Sequence, residues 1–164
     1  MNKIINIKSK KSLKTLDYFR EKKMSNVDIK FENVHLKHLN EILDHDLFDK
    51  NDLYINSVTL WELMQPIGSS GIHNYHGLTP NDIVEALENL INPYCILKAK
   101  LERYLIVPVY ISSFNEPLII VVEKGAGLAI NKNANINKIV TIYPKNNLDK
   151  MIEKVDEDDV LYKK

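Results

Sequence analysis

Thr79-Pro80 opens a helix and Asn92-Pro93 closes it, and beyond Pro93 the apolar period changes from about 3.6 residues to about 2. No other feature limits the possible folds as much. Thr79 offers a hydroxyl acceptor at the cap, and Pro80 suits the first helical position because an N–H there has no partner in the helix. Asp82 stands at capping-box spacing from Thr79. Ile83, Ala86, Leu87, Leu90 and Ile91 then share one apolar face. After the stop, four strands are expected, over residues 94–100, 103–111, 117–123 and 138–143. The continuous apolar run 117–123 reads as a central strand buried on both faces, and Pro108 suggests an edge or a bulge. Residues 128–130 are a fifth, shorter possibility, and 160–162 a final extended segment.

The chain ahead of this seam reads differently. Leu13, Leu16 and Phe19 predict a short helix, and Val27, Ile29 and Phe31 alternate as in a short strand. Asn33 is a plausible cap for a helix carrying Leu36, Leu39 and Leu43. Ser57 or Thr59 can cap another that ends near Pro66. Asn147 can cap a closing helix with Leu148, Met151, Ile152 and Val155. The expectation is one α+β domain over 1–164. N-terminal helices, in residues 1–70, precede a roughly four-stranded antiparallel sheet in 71–164, and a short C-terminal helix closes the fold.

Composition bounds the function. The chain has 164 residues, 22 Lys/Arg and 22 Asp/Glu, so there is no global pull toward nucleic acid or anionic membrane. The charge is unevenly placed: residues 98–145 hold seven Lys/Arg against three Asp/Glu, while 25–64 hold three against eight. A local anion-binding patch and an ordinary solvated surface both fit that pattern. Cys95 is the single cysteine, which excludes an internal disulfide and a cysteine-built zinc site. Its apolar neighbours favour inert packing over nucleophilic use. No apolar run approaches the ~20 residues of a membrane span, and the lysine-rich start lacks the apolar core of a secretory signal. No membrane contact and a cytoplasmic location are therefore expected. Phosphate-binding loops, dinucleotide fingerprints and nucleophile elbows are absent from the sequence.

Three groups of residues carry possible chemistry. His73 and His76 flank a glycine-led helix start, and imidazole is the natural proton carrier near neutral pH. Either can instead cap a helix or pack beneath Trp61; the sharp helix start ranks His76 above His73. His38, Glu41 and His45 share one face if they lie on a helix and, with Asp49, have metal-ligand character, but a solvated helix face explains them better. Period-2 alternation places Lys98 and Lys100 together on the first strand of the sheet, with Tyr94 and Ile96. It places Ile139, Thr141 and Tyr143 together on the last, with Lys145 at its end. Cations and hydroxyls so placed can grip a phosphate. An amphipathic sheet surface has the same pattern.

These residues resemble a known family. The segment His73-Asn74-Tyr75-His76-Gly77-Leu78-Thr79-Pro80, the stop at Asn92-Pro93 leading into Ile96-Leu97-Lys98, and the stretch Ile139-Val140-Thr141-Ile142-Tyr143-Pro144-Lys145 with the ending Val160-Leu161-Tyr162 carry the likeness. They are similar to the phage-associated barnase–EndoU–colicin–RelE-like nuclease domains found, among other places, at the C-terminus of MuF-type phage head proteins. The resemblance implies a small metal-independent endoribonuclease that needs no cofactor. It also implies a phage-encoded or polymorphic toxin as one setting, an RNA substrate, and a cognate antitoxin or immunity protein as a partner. It implies His76 and His73 as acid–base residues, Thr141 and Tyr143 as closing-strand catalytic positions, and Lys98, Lys100, Arg103 and Lys145 as the cations that meet the phosphate. Two alternatives stay open: a catalytically inactive accessory or interaction module on the same fold, and a different transferase or hydrolase using the same cleft.

Overall fold

The computed structural model describes residues 4–8, 13–32, 34–68 and 74–164. Eight strands form one mixed sheet: β1 (Ile4–Lys8), β2 (Asp28–Glu32), β3 (Leu53–Asn56), β4 (Pro93–Lys98), β5 (Arg103–Pro108), β6 (Leu118–Ala126), β7 (Ile136–Pro144) and β8 (Val160–Lys163). Their spatial order is β1-β2-β3-β7-β6-β5-β4-β8. Among the described residues five α-helices are interspersed: α1 (Leu13–Glu21), α2 (His38–Leu43), α3 (Ser57–Leu63), α4 (Pro80–Glu88) and α5 (Leu148–Glu153).

The expected four-stranded antiparallel sheet is therefore the middle of a larger one. The antiparallel meander β4-β5-β6-β7 is present, but β8 extends it on one side and β3, β2 and β1 extend it on the other. The pairs β1–β2 and β3–β7 are parallel, which requires crossovers. Helix α1 supplies the crossover for β1 and β2. Residues 1–70 thus contribute three strands as well as helices. The alternation of Val27, Ile29 and Phe31 marks β2, whereas β3 is hard to read because it is four residues long and runs straight into α3 without a loop.

Caps explain the helix starts. In α4 the Asp82 backbone N–H donates to Thr79 Oγ1 at 3.0 Å, and the Thr79 N–H donates to Asp82 Oδ2 at 3.1 Å, closing the expected capping box. In α3 the cap is Asn56, which accepts from the Val58 N–H at 2.9 Å. Neither Ser57 nor Thr59 takes that role. Ser57 is buried and ties the approach segment instead, accepting from the Val27 N–H at 3.0 Å and donating to the Met24 carbonyl at 3.2 Å. Asn147 sits at the start of α5 with a positive φ of 51° and makes no side-chain cap. Asn33 lies outside the described residues.

The sheet separates two cores. Leu118, Ile120 and Val122 of β6 face the larger one with Leu16, Phe19, Leu60, Leu63, Ile83 and Leu87 of the helices. Ile119 and Val121 face the smaller one, with Cys95, Leu97, Leu148 and Ile152. Strand β6 is thus central and buried on both faces, and each such side chain contributes about 1.5–3 kcal/mol by its burial. Pro108 is not on an edge: it ends β5, an interior strand, opposite Pro93, and the β4–β5 register shifts between Pro93 and Cys95, so an irregularity does fall beside it. Residues 128–130 form no strand; the Leu128 N–H donates to the Asn131 carbonyl in a turn instead.

Of the sheet's register shifts, two break the alternation that the sequence suggests for β4 and β7. Register shifts beside Cys95, and Tyr94 packs in the smaller core while Ile96 packs in the larger. On β7 the pairing steps from Val121–Thr141 to Val122–Ile139, leaving Val140 as the extra residue of a bulge. Ile139 therefore shares the larger-core face with Ile142, not with Thr141, while Val140 and Tyr143 pack at the smaller core.

Among the described residues no helix is long and apolar enough to cross a membrane.

Candidate functional site

Strand β3 pairs with β7 only at Leu53–Asn137 and Tyr54–Lys138 before Asn56 turns the chain into α3. Past Lys138, the outer edge of β7 has no strand beside it among the described residues. The loop between α3 and α4 brings its side chains to that edge. Two backbone bonds anchor it to the end of α3: the Gly77 N–H donates to the Gln65 carbonyl at 2.8 Å, and the Leu78 N–H to the Leu63 carbonyl at 3.0 Å. Gly77 has φ +63°, which glycine adopts without strain, and Leu78 is buried. Tyr75 meets Trp61 edge-on at 5.7 Å, a place expected for a histidine.

The loop then delivers Asn74 and His76 to Thr141 and Tyr143. The Thr141 hydroxyl donates to Asn74 Oδ1 at 2.6 Å, and Asn74 Nδ2 donates to Glu62 Oε2 of α3 at 3.0 Å. His76 Nε2 lies 3.4 Å from Thr141 Oγ1, and the His76 and Tyr143 rings are 5.9 Å apart, tilted by 37°. Burial lowers the His76 pKa from its ordinary value, which keeps the imidazole neutral, and so free to accept a proton, at pH 7. Burial raises the Tyr143 pKa, which keeps the phenol protonated. A neutral base, a hydroxyl and a phenol therefore share one half-buried edge, a set suited to moving a proton. The Thr141 proton is engaged by Asn74, so this hydroxyl is not activated as a nucleophile.

Of the residues singled out in the sequence, His76, Thr141 and Tyr143 come together. His73 lies outside the described residues. Lys98, Lys100 and Arg103 gather at the β4–β5 turn, away from this edge. Lys98 ends β4, three strands from β7, roughly 14 Å at the usual strand spacing. Lys100 is in the turn itself and not on the strand, because positive φ values of 62° at Leu101 and 55° at Glu102 reverse the chain there. Arg103 Nε meets Glu123 Oε1 at 3.4 Å. Lys145 follows Tyr143 by two residues. It lines a cleft of about 870 Å³ with Tyr94, Tyr110, Pro117 and Asp149.

Other groups fall away from the site. Helix α2 ends at Leu43, so His45 is beyond it and does not share a helical face with His38 and Glu41; all three are exposed. Among the described residues no cluster of three or more His, Cys, Asp or Glu is arranged to hold a metal ion. Cys95 is fully buried and burial pushes its thiol up to about 11, which suits packing and not nucleophilic attack. Asn74 and Glu62 were not foreseen as members of the site. Asn74 sits inside the histidine segment, a weak signal; Glu62 gave none, because its place beside the loop depends on how α3 packs. Comparison with protein-family models, with curated proteins and with solved structures returns no match.

Proposed function

We propose that this chain is a small metal-independent endoribonuclease that cleaves RNA by transesterification at the ribose 2′-OH. The adjacency of His76 to Thr141 and Tyr143 on the open edge of β7 is the observation that supports this most. His76 removes the 2′-OH proton, the 2′-oxygen bonds to phosphorus, and the bond from phosphorus to the 5′-oxygen breaks. The leaving 5′-oxygen takes up a proton from the His76 imidazolium or from the Tyr143 phenol. The Tyr143 hydroxyl and the Lys145 ammonium stabilise charge on the phosphorane-like transition state. The products are a 2′,3′-cyclic phosphate and a 5′-hydroxyl. The resemblance to phage-associated nuclease domains supports the same reaction, with a toxin role and an antitoxin or immunity partner as its setting.

The placement of Lys98, Lys100 and Arg103 favours a second reading. These cations do not meet His76, so the same fold serves equally as an inactive accessory or protein-interaction module. Incubation with mixed RNA in EDTA, followed by end-group analysis, separates the two. Cyclic-phosphate ends support the ribonuclease; intact RNA supports the module.

A further inference from the structure

We propose that Glu62 and Asn74 are positioning residues that fix the tautomer of His76, through a one-way chain of hydrogen bonds from His76 to Thr141 to Asn74 to Glu62. The inference rests on His76 as the proton-transfer group, and it assigns Nδ1 as the nitrogen that takes the substrate proton.

The direction of the chain follows from what each group can donate. A carboxylate only accepts, so the Asn74 amide must turn its NH₂ toward Glu62, as the 3.0 Å contact from Nδ2 to Oε2 requires. That orientation leaves Oδ1 facing Thr141, whose single hydroxyl proton is engaged there at 2.6 Å. Thr141 Oγ1 has only lone pairs left to offer His76. A favourable contact with Nε2, 3.4 Å away, therefore requires the hydrogen on Nε2. A neutral imidazole with its proton on Nε2 carries its lone pair on Nδ1, and Nδ1 has no hydrogen-bond partner among the described residues. At 3.4 Å the contact is longer than most N–H···O bonds, so it orients the ring more than it holds it. Helix α3, the α3–α4 loop and β7 each supply part of the chain, so the packing of three elements sets one proton position.

The alternative role for the same bonds is to tie the loop down, and ring-nitrogen spectroscopy distinguishes the two. The full chain is labelled with ¹⁵N, and the His76 signals are assigned by their loss in His76→Gln. The expected result is a ring proton correlated with Nε2 whose exchange with water is at least about tenfold slower than that of exposed His35. Thr141→Val removes the acceptor at nearly constant shape and should abolish the slowing. Asn74→Ala frees the Thr141 hydroxyl and should reduce the slowing severalfold. The double variant Glu62→Gln with Asn74→Asp restores a donor facing an acceptor and should recover it. A proton on Nδ1, or slowing that survives both single variants in chains that melt as folded proteins, overturns the proposal. RNA cleavage by the same samples is a separate readout: Asn74→Ala should lower kcat roughly five- to tenfold with KM unchanged. An Nε2 proton with no cleavage by the parent chain overturns the nuclease reading alone. Cleavage with the proton on Nδ1 overturns the positioning chain alone.

Discussion

His76 Nε2 and Thr141 Oγ1 lie 3.4 Å apart, although 65 residues separate them in the chain. The contact exists because β3 leaves the sheet at Asn56 and frees the edge of β7 for the α3–α4 loop. Burial at that edge lowers the His76 pKa, which sets the sign of a pH prediction. Cleavage that needs neutral imidazole should be on a plateau at pH 7 and should fall only below the ordinary histidine range of ~6.5. The same shift affects stability. The unfolded chain binds the proton first, so the contribution of His76 is full above ~6.5 and declines as the pH falls toward the lower folded value. Rate and melting profiles taken over the same pH range check both statements.

Asp82 offers a test of the loop framework. Its carboxylate is 1% exposed and accepts from the Tyr110 hydroxyl at 3.0 Å, the Ser113 N–H at 2.9 Å and the Ser113 hydroxyl at 2.7 Å, besides closing the α4 capping box. Burial alone raises its pKa, but the hydrogen bonds from Ser113, Thr79 and Tyr110 outweigh it and hold the group below the usual carboxylate range. Asp82→Ala leaves these donors unpaired and should cost about 3 kcal/mol in urea unfolding. The stabilisation by Asp82 is present above ~3.9 and is lost as the pH falls through its depressed folded value.

A second buried carboxylate joins the N-terminal strands to β7. Asp28 is 1% exposed, pairs with Lys138 Nζ at 3.2 Å and accepts from the Ala129 N–H. Lys138→Met should destabilise the fold by roughly 2–3 kcal/mol, below the ~3–5 for a fully buried pair, because Lys138 is 23% exposed. Thermal melts of the two chains check this. RNA-binding affinity should change little, since the ammonium is already engaged by Asp28 and by the Gly127 carbonyl at 3.1 Å.

Gly77 should tolerate no side chain. At φ +63° an added Cβ carries a backbone penalty of about 1–2 kcal/mol, while its nearest neighbour, Phe114 at 3.4 Å, is in ordinary contact. Gly77→Ala should therefore lower the melting temperature and move His76 off Thr141. A fall in cleavage larger than the fraction unfolded would report that movement.

Much of this architecture is legible in the residues. Thr79, Pro80 and Asp82 state the start of α4, and the apolar run in β6 states a strand covered on both faces. Of the outer strands, β2 and β8 are legible and β1 and β3 are not, because these are only five and four residues long and stability comes from pairing partners distant in sequence. The bulge at Val140 escaped alternation, which assumes an unbroken period of two. At the site, His76 was readable as a proton carrier, and Thr141 and Tyr143 as hydroxyls able to grip a phosphate. The separation of Lys98, Lys100 and Arg103 from them was not, because strand order decides it. Glu62 was invisible for a related reason: nothing in its own neighbourhood announces that α3 will stand beside the histidine loop.

The most direct measurement is cleavage of a single-stranded RNA by the parent chain and by His76→Ala, both in EDTA and both shown by circular dichroism to be folded. The account predicts 2′,3′-cyclic phosphate ends from the parent and a rate roughly 10²–10⁴-fold lower in the variant. Equal rates from the two folded chains, or RNA left whole by the parent, would contradict it.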